Sequence, residues 1–458
     1  MTVPETRYAR SGDLSIAFQV VGEHARDLVW IRGNVSDLET LWEQPRFVEY
    51  VKSLTAFSRV LIFNKRGTGL SHSVHGVPTL DARMDDARAV MDAVGSARAV
   101  LHASYEGARL AVLFAATYPE CTTALVLVDP SARGTWAPDY PWAPTSERWR
   151  STIQEVAENW GRDDFLERLA VEANPRATSD DAVRRWFVRH LRRSASPGSA
   201  VAFNRMVMEG DVRDILAAVR VPTLVLARPA ALDEAGYVAG RIPGAQLLGL
   251  PGEDGVYWLD PDVVDTWVAE TRRFLEHTPD EPPSDRVLAT IVFTDLVGST
   301  MRAAELGDRK WRALLERHHE TVRRSLTIHR GREPDTAGDG FFAAFESPTR
   351  AIECASDIRE ATRSLDLELR VGIHTGEFER LRDKLVASPS RRPRERARPR
   401  HRARFSSRAP SRTSSRVPGS ASKTEAYTPS RASPGSGSCS RSRRAQTARA
   451  TETKSSQP

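Results

Sequence analysis

Cysteine is scarce in this chain. There are three, Cys121, Cys354 and Cys439, in 458 residues. An odd number at long spacings gives no disulfide framework and no zinc-ligand pattern, and fits a reducing compartment. Long apolar runs are missing too. No stretch approaches the roughly 18 apolar residues of a membrane helix, and Met1 to Arg10 lacks the apolar core of a signal peptide. These absences lead us to expect a cytoplasmic protein with no membrane partner. Aliphatic core formers are almost absent from one region only, Val386 to Pro458, which is rich in Arg, Ser, Ala and Pro. That region carries 16 Arg and 2 Lys against 3 Glu, net +15, although the whole chain is only +6. Residues 1–385 therefore hold 48 basic and 57 acidic side chains, net −9. A mildly acidic body excludes a specific nucleic-acid partner there. The length suggests two or three domains.

Residues 1–276 alternate short apolar runs with amphipathic stretches. Leu28–Ile31, Val60–Phe63, Ala99–Leu101, Ala124–Val128 and Pro222–Leu226 read as buried strands, with helices over Asp81–Val94 and Ala108–Thr117. The alternation predicts an α/β fold, a mostly parallel sheet with helices on both faces. Residues 135–215 are rich in Trp, Arg and Glu at helical spacing and read as an inserted cap.

Three motifs carry a family resemblance: Lys65-Arg66-Gly67-Thr68-Gly69-Leu70-Ser71, Phe114-Ala115-Ala116-Thr117-Tyr118-Pro119-Glu120, and Arg220-Val221-Pro222-Thr223-Leu224-Val225-Leu226. With them the stretch resembles the α/β-hydrolase fold. That family uses a nucleophile on a tight strand-to-helix elbow, an acid and a histidine base. The matching positions here hold Tyr105, Ala231 and Gly255. Ser104 lies one residue early, and centring the elbow on it puts His102 and Glu106 where glycines belong. A rescued triad would take Ser104 or Tyr105 as nucleophile, His102 or His72 as base, and Asp233 as acid. The favoured reading is a pseudo-hydrolase whose cleft holds a small ligand and serves as a sensory or scaffold module.

His277 to Asp285, with Pro279, Pro282 and Pro283, reads as a stiff linker. A strand follows and runs into Phe293-Thr294-Asp295-Leu296-Val297-Gly298-Ser299-Thr300. The second segment of note is Ala337-Gly338-Asp339-Gly340-Phe341-Phe342. Asp295 and Asp339 each end a strand-like run beside glycine. Hard cations such as Mg²⁺ take oxygen ligands, often one or two carboxylates plus substrate phosphates. The plainer alternative is two turn aspartates, since Asp-Gly is a turn signal. Between them a helix of about 308–329 places Trp311, Leu314, Leu315, His318, Val322 and Leu326 at helical spacing. A strand at 341–345, a helix at 348–365 and a strand at 369–376 come after.

Together these motifs resemble the class III adenylate/guanylate cyclase catalytic domain over about residues 286–385. The resemblance implies a partial ferredoxin-like α+β domain that converts ATP or GTP to a 3′,5′-cyclic nucleotide and pyrophosphate in intracellular signalling. It implies two Mg²⁺ or Mn²⁺ ions on Asp295, Asp339 and the carbonyl of Leu296, with phosphates on the amides of Val297, Gly298, Ser299 and Thr300. Family members are homodimers, with metals from one protomer and a transition-state Asn and Arg from the other. Those last positions fall beyond Leu385. The base-reading positions hold Asp335 and, nearby, Lys384, a charge reversal that suits guanine. The alternative is that Asp335 and Lys384 are simply an ion pair.

Three readings of residues 386–458 stand side by side. One is a basic arm that binds nucleic acid or acidic membrane by charge alone. Another is an inert disordered tail. The third, favoured, is an out-of-frame product. Shifting the frame lets Ser422–Arg441 encode a strand-like run ending Gly-Glu-Trp-Gln-Leu-Phe-Ala-Val. The overall expectation is a nucleotide cyclase with a pseudo-hydrolase domain, inactive as written. Two alternatives are an α/β-fold hydrolase with a degenerate regulatory cyclase fragment, and a non-catalytic nucleotide-binding signalling protein.

Overall fold

The computed structural model describes residues 3–279, 286–381 and 384–387. Linker residues 280–285 lie outside the described residues, as do residues 388–458 of the stretch 386–458 read as a disordered tail; Val386 and Ala387 are instead the end of a strand paired with Glu379 and Phe378.

The first layer is an eight-stranded sheet of β1 (Arg7–Ser11), β2 (Leu14–Val21), β3 (Asp27–Ile31), β4 (Arg59–Phe63), β5 (Ala99–Ser104), β6 (Thr122–Val128), β7 (Thr223–Ala227) and β8 (Gln246–Gly249). Its order is β1-β2-β4-β3-β5-β6-β7-β8. The first two pairings, β1 with β2 and β2 with β4, are antiparallel; the rest are parallel. β3, β5 and β7 are buried at every residue. That is why they read as unbroken apolar runs rather than alternating ones. The antiparallel edge, β1 and β2, was not legible from periodicity.

Helices α1 (Leu38–Leu41), α2 (Pro45–Thr55), α3 (Leu80–Ala93) and α4 (Gly107–Thr117) precede the cap. The cap holds α5 (Ser146–Asn159), α6 (Asp163–Ala173), α7 (Asp181–Ser194) and α8 (Pro197–Glu209). An antiparallel bridge between Arg133 and Asp211 closes its base. α7 shows why the cap folds. Asp180 caps its start by accepting from Ala182 N–H, and Val183, Trp186, Phe187, His190 and Leu191 bury one stripe. α9 (Leu232–Ala239) and α10 (Pro261–Glu276) complete the layer. One face of the sheet packs Met84, Val90, Leu110, Phe114 and Val238. The other packs Trp30, Leu54, Trp186, Trp258 and Trp267.

The second layer contains β9 (Arg286–Leu296), α11 (Ser299–Leu306), α12 (Asp308–Ile328), β10 (Arg332–Ala337), β11 (Gly340–Phe345), α13 (Pro348–Arg363), β12 (Leu369–Leu381) and β13 (Lys384–Ala387). Its sheet runs β10-β11-β9-β12-β13 with every neighbouring pair antiparallel. Without β13 this is the ferredoxin-like order. Val292, Phe341, Ala343 and Phe345 pack beneath Val322 and Leu326 of α12 and Ala351, Cys354 and Ile358 of α13. The strand period of two turns Phe293 and Asp295 to the opposite, open side, while Thr294 and Leu296 are buried. Phe293 is 50% exposed and meets Phe342 edge-on at 5.0 Å between centroids.

The described residues all fall within one compact unit. Within it α4 packs on β9. Arg220 forks onto Glu377 at 2.7 and 2.6 Å. Asp85 of α3 pairs with Arg330 and Arg350. Tyr118, just past α4, donates its hydroxyl to Glu346 at 2.5 Å.

Candidate functional sites

β9 ends at Leu296, and a two-residue turn, Gly338-Asp339, joins β10 to β11 beside it. Gly338 has φ +65°, which suits the first central position of a type II′ hairpin turn, where a side chain would be strained. Two bonds hold this turn in place. Thr294 Oγ1 accepts from Phe341 N–H at 3.1 Å, and the His319 ring meets the Gly338 carbonyl at 3.1 Å. Phe341 pairs with Thr294 across the strands, so Asp295 and Asp339 come to neighbouring strand ends. Asp295 is exposed. Asp339 Oδ2 is sealed from solvent and has no hydrogen-bond partner. A buried carboxylate oxygen without a donor is costly unless something cationic meets it. The pair therefore fits a hard divalent cation. Among the described residues no cluster of three or more His, Cys, Asp or Glu stands ready to hold a metal unaided. A two-carboxylate site of this kind takes its remaining ligands from phosphate and water.

α11 starts after Gly298, which has φ +66° and offers no side-chain cap. The first-turn amides of such a helix have no partner within it and attract anions. Ser299 and Thr300 stand there. Val297 does not share this freedom, because its N–H donates to Glu368 O at 2.8 Å. Asp335 and Lys384 are not brought together. Asp335 sits on β10 and Lys384 on β13, the two opposite edges of the sheet. Four strand spacings of about 4.8 Å separate those edges by roughly 19 Å. Their side chains lie outside the described residues. The sheet order depends on long-range pairing, which motif spacing does not report.

In the first layer, Tyr105 stands between the end of β5 and the start of α4 with φ +53°. A positive φ is strained for a bulky side chain, and it is the conformation of a nucleophile elbow. The groups beside it are engaged in hydrogen bonds of their own. Ser104 Oγ accepts from Gly33 N–H at 3.0 Å, and Glu106 Oε2 accepts from Asn34 N–H at 3.1 Å. The loop amides that would face an oxyanion are thus spent internally. The Tyr105 hydroxyl donates to the Gly255 carbonyl and lies 3.3 Å from Arg228 Nη2. Burial, reinforced by Asp129, keeps that phenol protonated far above its ordinary range. Ala231 ends a short turn, Pro229–Ala231, and supplies no carboxylate. Gly255 is docked so tightly that an added Cβ would lie 2.7 Å from Ala173 O.

The rescue candidates do not assemble into a triad: His72 and Asp233 are exposed. His102 is buried, bonds Tyr50 at 3.0 Å through Nε2, and is lowered to about 4 by burial. Asp254 accepts from the amides of Arg176 and Ala177 at 2.8 and 2.9 Å, tying the loop to the cap. The acid that does reach this site is Asp129, at the end of β6. It pairs with Arg228 at 2.6 Å. Sequence reading missed it, although an aspartate closing a buried parallel strand is where such folds place polar groups. Behind the elbow, Glu106 and Lys65 form a buried ion pair. Burial lowers Lys65 to about 8. Burial opposes ionisation of Glu106, but Lys65 and Arg83 outweigh it and hold its carboxyl below the ordinary range.

The fold and turn geometry thus define a two-part molecule, a capped α/β layer and an antiparallel α+β layer with a paired-carboxylate turn. Residues 282–380 match the family described as the adenylate and guanylate cyclase catalytic domain. Over 71 residues the chain is 42% identical to an adenylate cyclase of Lachancea kluyveri, covering 16% of this chain and 4% of that protein. Over 111 residues it is 34% identical to an uncharacterised protein of Mycobacterium tuberculosis, covering 24% of this chain and 37% of that one. The chain thus spans well under half the length of these relatives. The first layer is similar in fold to an esterase from Exiguobacterium antarcticum, with TM-score 0.53 and 16% identity over 59% of this chain and 100% of that one. At that identity the likeness concerns fold alone. No helix among the described residues is long and apolar enough to cross a membrane.

Proposed function

We propose that residues 286–385 form a nucleotide-cyclase-type domain that binds ATP or GTP with two Mg²⁺ or Mn²⁺ ions, and that residues 1–276 are a non-hydrolytic sensory domain joined to it by residues 277–285. The observation that carries the first part is the unpartnered Asp339 Oδ2 beside Asp295. Asp295, Asp339 and the Leu296 carbonyl would hold the cations. Bound there, they would lower the pKa of the ribose 3′-hydroxyl and offset charge on the leaving pyrophosphate. The amides opening α11 orient the phosphates, and Thr294 and His319 fix the turn that presents Asp339. The exposed Phe293 and Met301, at 50% and 71%, support a second protomer covering this side, as dimeric cyclases require.

In the frame as written, residues 386–458 contain no Asn and so do not supply the one that acts in the transition state. We therefore read this chain as binding nucleotide without turning it over. Titration calorimetry with Mn²⁺ and a non-hydrolysable triphosphate tests the site. Binding lost in both Asp295→Ala and Asp339→Ala supports it, and binding unchanged in both overturns it.

A further inference from the structure

The first layer holds a cavity of about 540 Å³ beneath the cap. Its walls include Trp30, Trp160, Phe187, Leu191, Phe203 and Trp258, the size and chemistry of a small-molecule site. One charge in this apolar space is unbalanced. Arg32 lines the cavity, and its Nη1 is sealed from solvent without a hydrogen-bond partner. The guanidinium is held by rings rather than by a carboxylate. It sits 5.4 Å from the ring centre of Trp30 and 5.9 Å from those of Phe47 and Trp258. Burial lowers it to about 10, so it stays charged at neutral pH.

The other polar groups of the cavity add no net cation. Arg228 is neutralised by Asp129. His190 bonds Thr40 at 2.7 Å through Nδ1, and burial, with the charge of Arg32, holds it well below its ordinary range and so neutral. Glu172 and Glu253 stand exposed where the cavity meets solvent. A buried charge left unpaired is costly, and a guanidinium fork matches a planar carboxylate with two parallel bonds.

We infer that this cavity binds a monocarboxylate with an apolar body, an aliphatic or aryl-alkyl acid, whose carboxylate pairs with Arg32. A phosphate dianion fits less well, since one guanidinium leaves its second charge uncompensated among aromatic walls. The inference deepens the sensory reading of residues 1–276 and rests on that reading for its purpose, not for its chemistry.

The test titrates the full chain, without nucleotide, with decanoate and 4-phenylbutyrate against their primary amides, following tryptophan fluorescence. The acids should bind, and the uncharged amides should bind about tenfold more weakly or worse. In Arg32→Met, which replaces the charge with an apolar chain of similar length, acid and amide should bind alike. In Arg32→Lys, which keeps charge but loses the fork, the acids should weaken severalfold. Amides binding as tightly as acids to the wild type would overturn the inference. So would acid affinity unchanged in Arg32→Met, or no acid binding. A bound acid that leaves Mn²⁺-nucleotide affinity unmoved would remove the sensory reading alone.

Discussion

The phenol of Tyr105 donates to the backbone carbonyl of Gly255. The side chain at the nucleophile position thus meets the backbone of the residue that stands at the base position. Tyr105→Phe should fold, lose that bond, and cost about 1 kcal/mol in urea denaturation. No loss would mean the contact contributes nothing.

Restoring the residue types should not restore hydrolysis. In Tyr105→Ser with Gly255→His, the imidazole must grow from a position whose Cβ already meets Ala173 O at 2.7 Å. The amides of Gly33 and Asn34 also remain committed to Ser104 and Glu106. The double variant should melt several degrees lower and show no p-nitrophenyl ester turnover above wild type, itself no higher than Ser104→Ala. Turnover that Ser104→Ala abolishes would contradict the pseudo-hydrolase reading.

Acid should destabilise the first layer well before carboxylates titrate. Unfolded histidine takes a proton near 6.5, whereas buried His102 resists until about 4, and His190 lies well below its ordinary value. Between those limits the unfolded chain binds more protons. Stability is therefore full above about pH 6.5 and falls as pH drops toward 4. His102 alone contributes on the order of 3 kcal/mol to that fall, and His190 acts in the same direction. Urea midpoints from pH 7.5 to 4.5 measure it. His102→Gln should flatten the slope, and a slope unchanged by that substitution would place the cause elsewhere.

Divalent cation should stabilise the second layer through Asp339. With Mn²⁺ and a triphosphate analogue at about 100 times Kd, linkage adds about 2.7 kcal/mol. Asp339→Asn keeps shape, removes the charge, and should abolish the Tm rise while leaving the metal-free Tm equal or higher. A full rise in Asp339→Asn would show that this carboxylate holds no metal.

Cyclic nucleotide should not form in the 458-residue chain at any Mn²⁺ concentration. DNA sequencing that finds a one-base loss just after the codon for Leu385, and turnover after the frame is repaired, is the expected result. Turnover by the chain in its present frame would refute the tail reading.

Much of the fold was legible because its signals are local. Unbroken apolar runs located β3, β5, β6 and β7, and helical spacing placed α12, predicted over 308–329 and found over Asp308–Ile328. The elbow position of Tyr105 could be counted from Phe114-Ala115-Ala116, since strand, turn and helix are contiguous. What was not legible depends on contacts between distant segments. Arg32 and Arg228 lie far apart in sequence and come together only as cavity walls, with Asp129 joined to them through Arg228. The side-chain bond from Glu106 to the Asn34 amide has no sequence signature. Asp335 and Lys384 failed as neighbours for the same reason: nothing local says which strands become edges.

Helix α4 begins at the strained elbow and ends beside Tyr118, whose hydroxyl grips Glu346 of the other layer. Its eleven residues are all buried and span about 16 Å. A rod packed on every side cannot shorten or bend cheaply. Displacement of Tyr105 by anything entering the cavity would therefore be passed along α4, which packs on β9. In the proposed non-hydrolytic reading, the strained elbow stays mechanically tied, through α4, to the strand that carries Asp295.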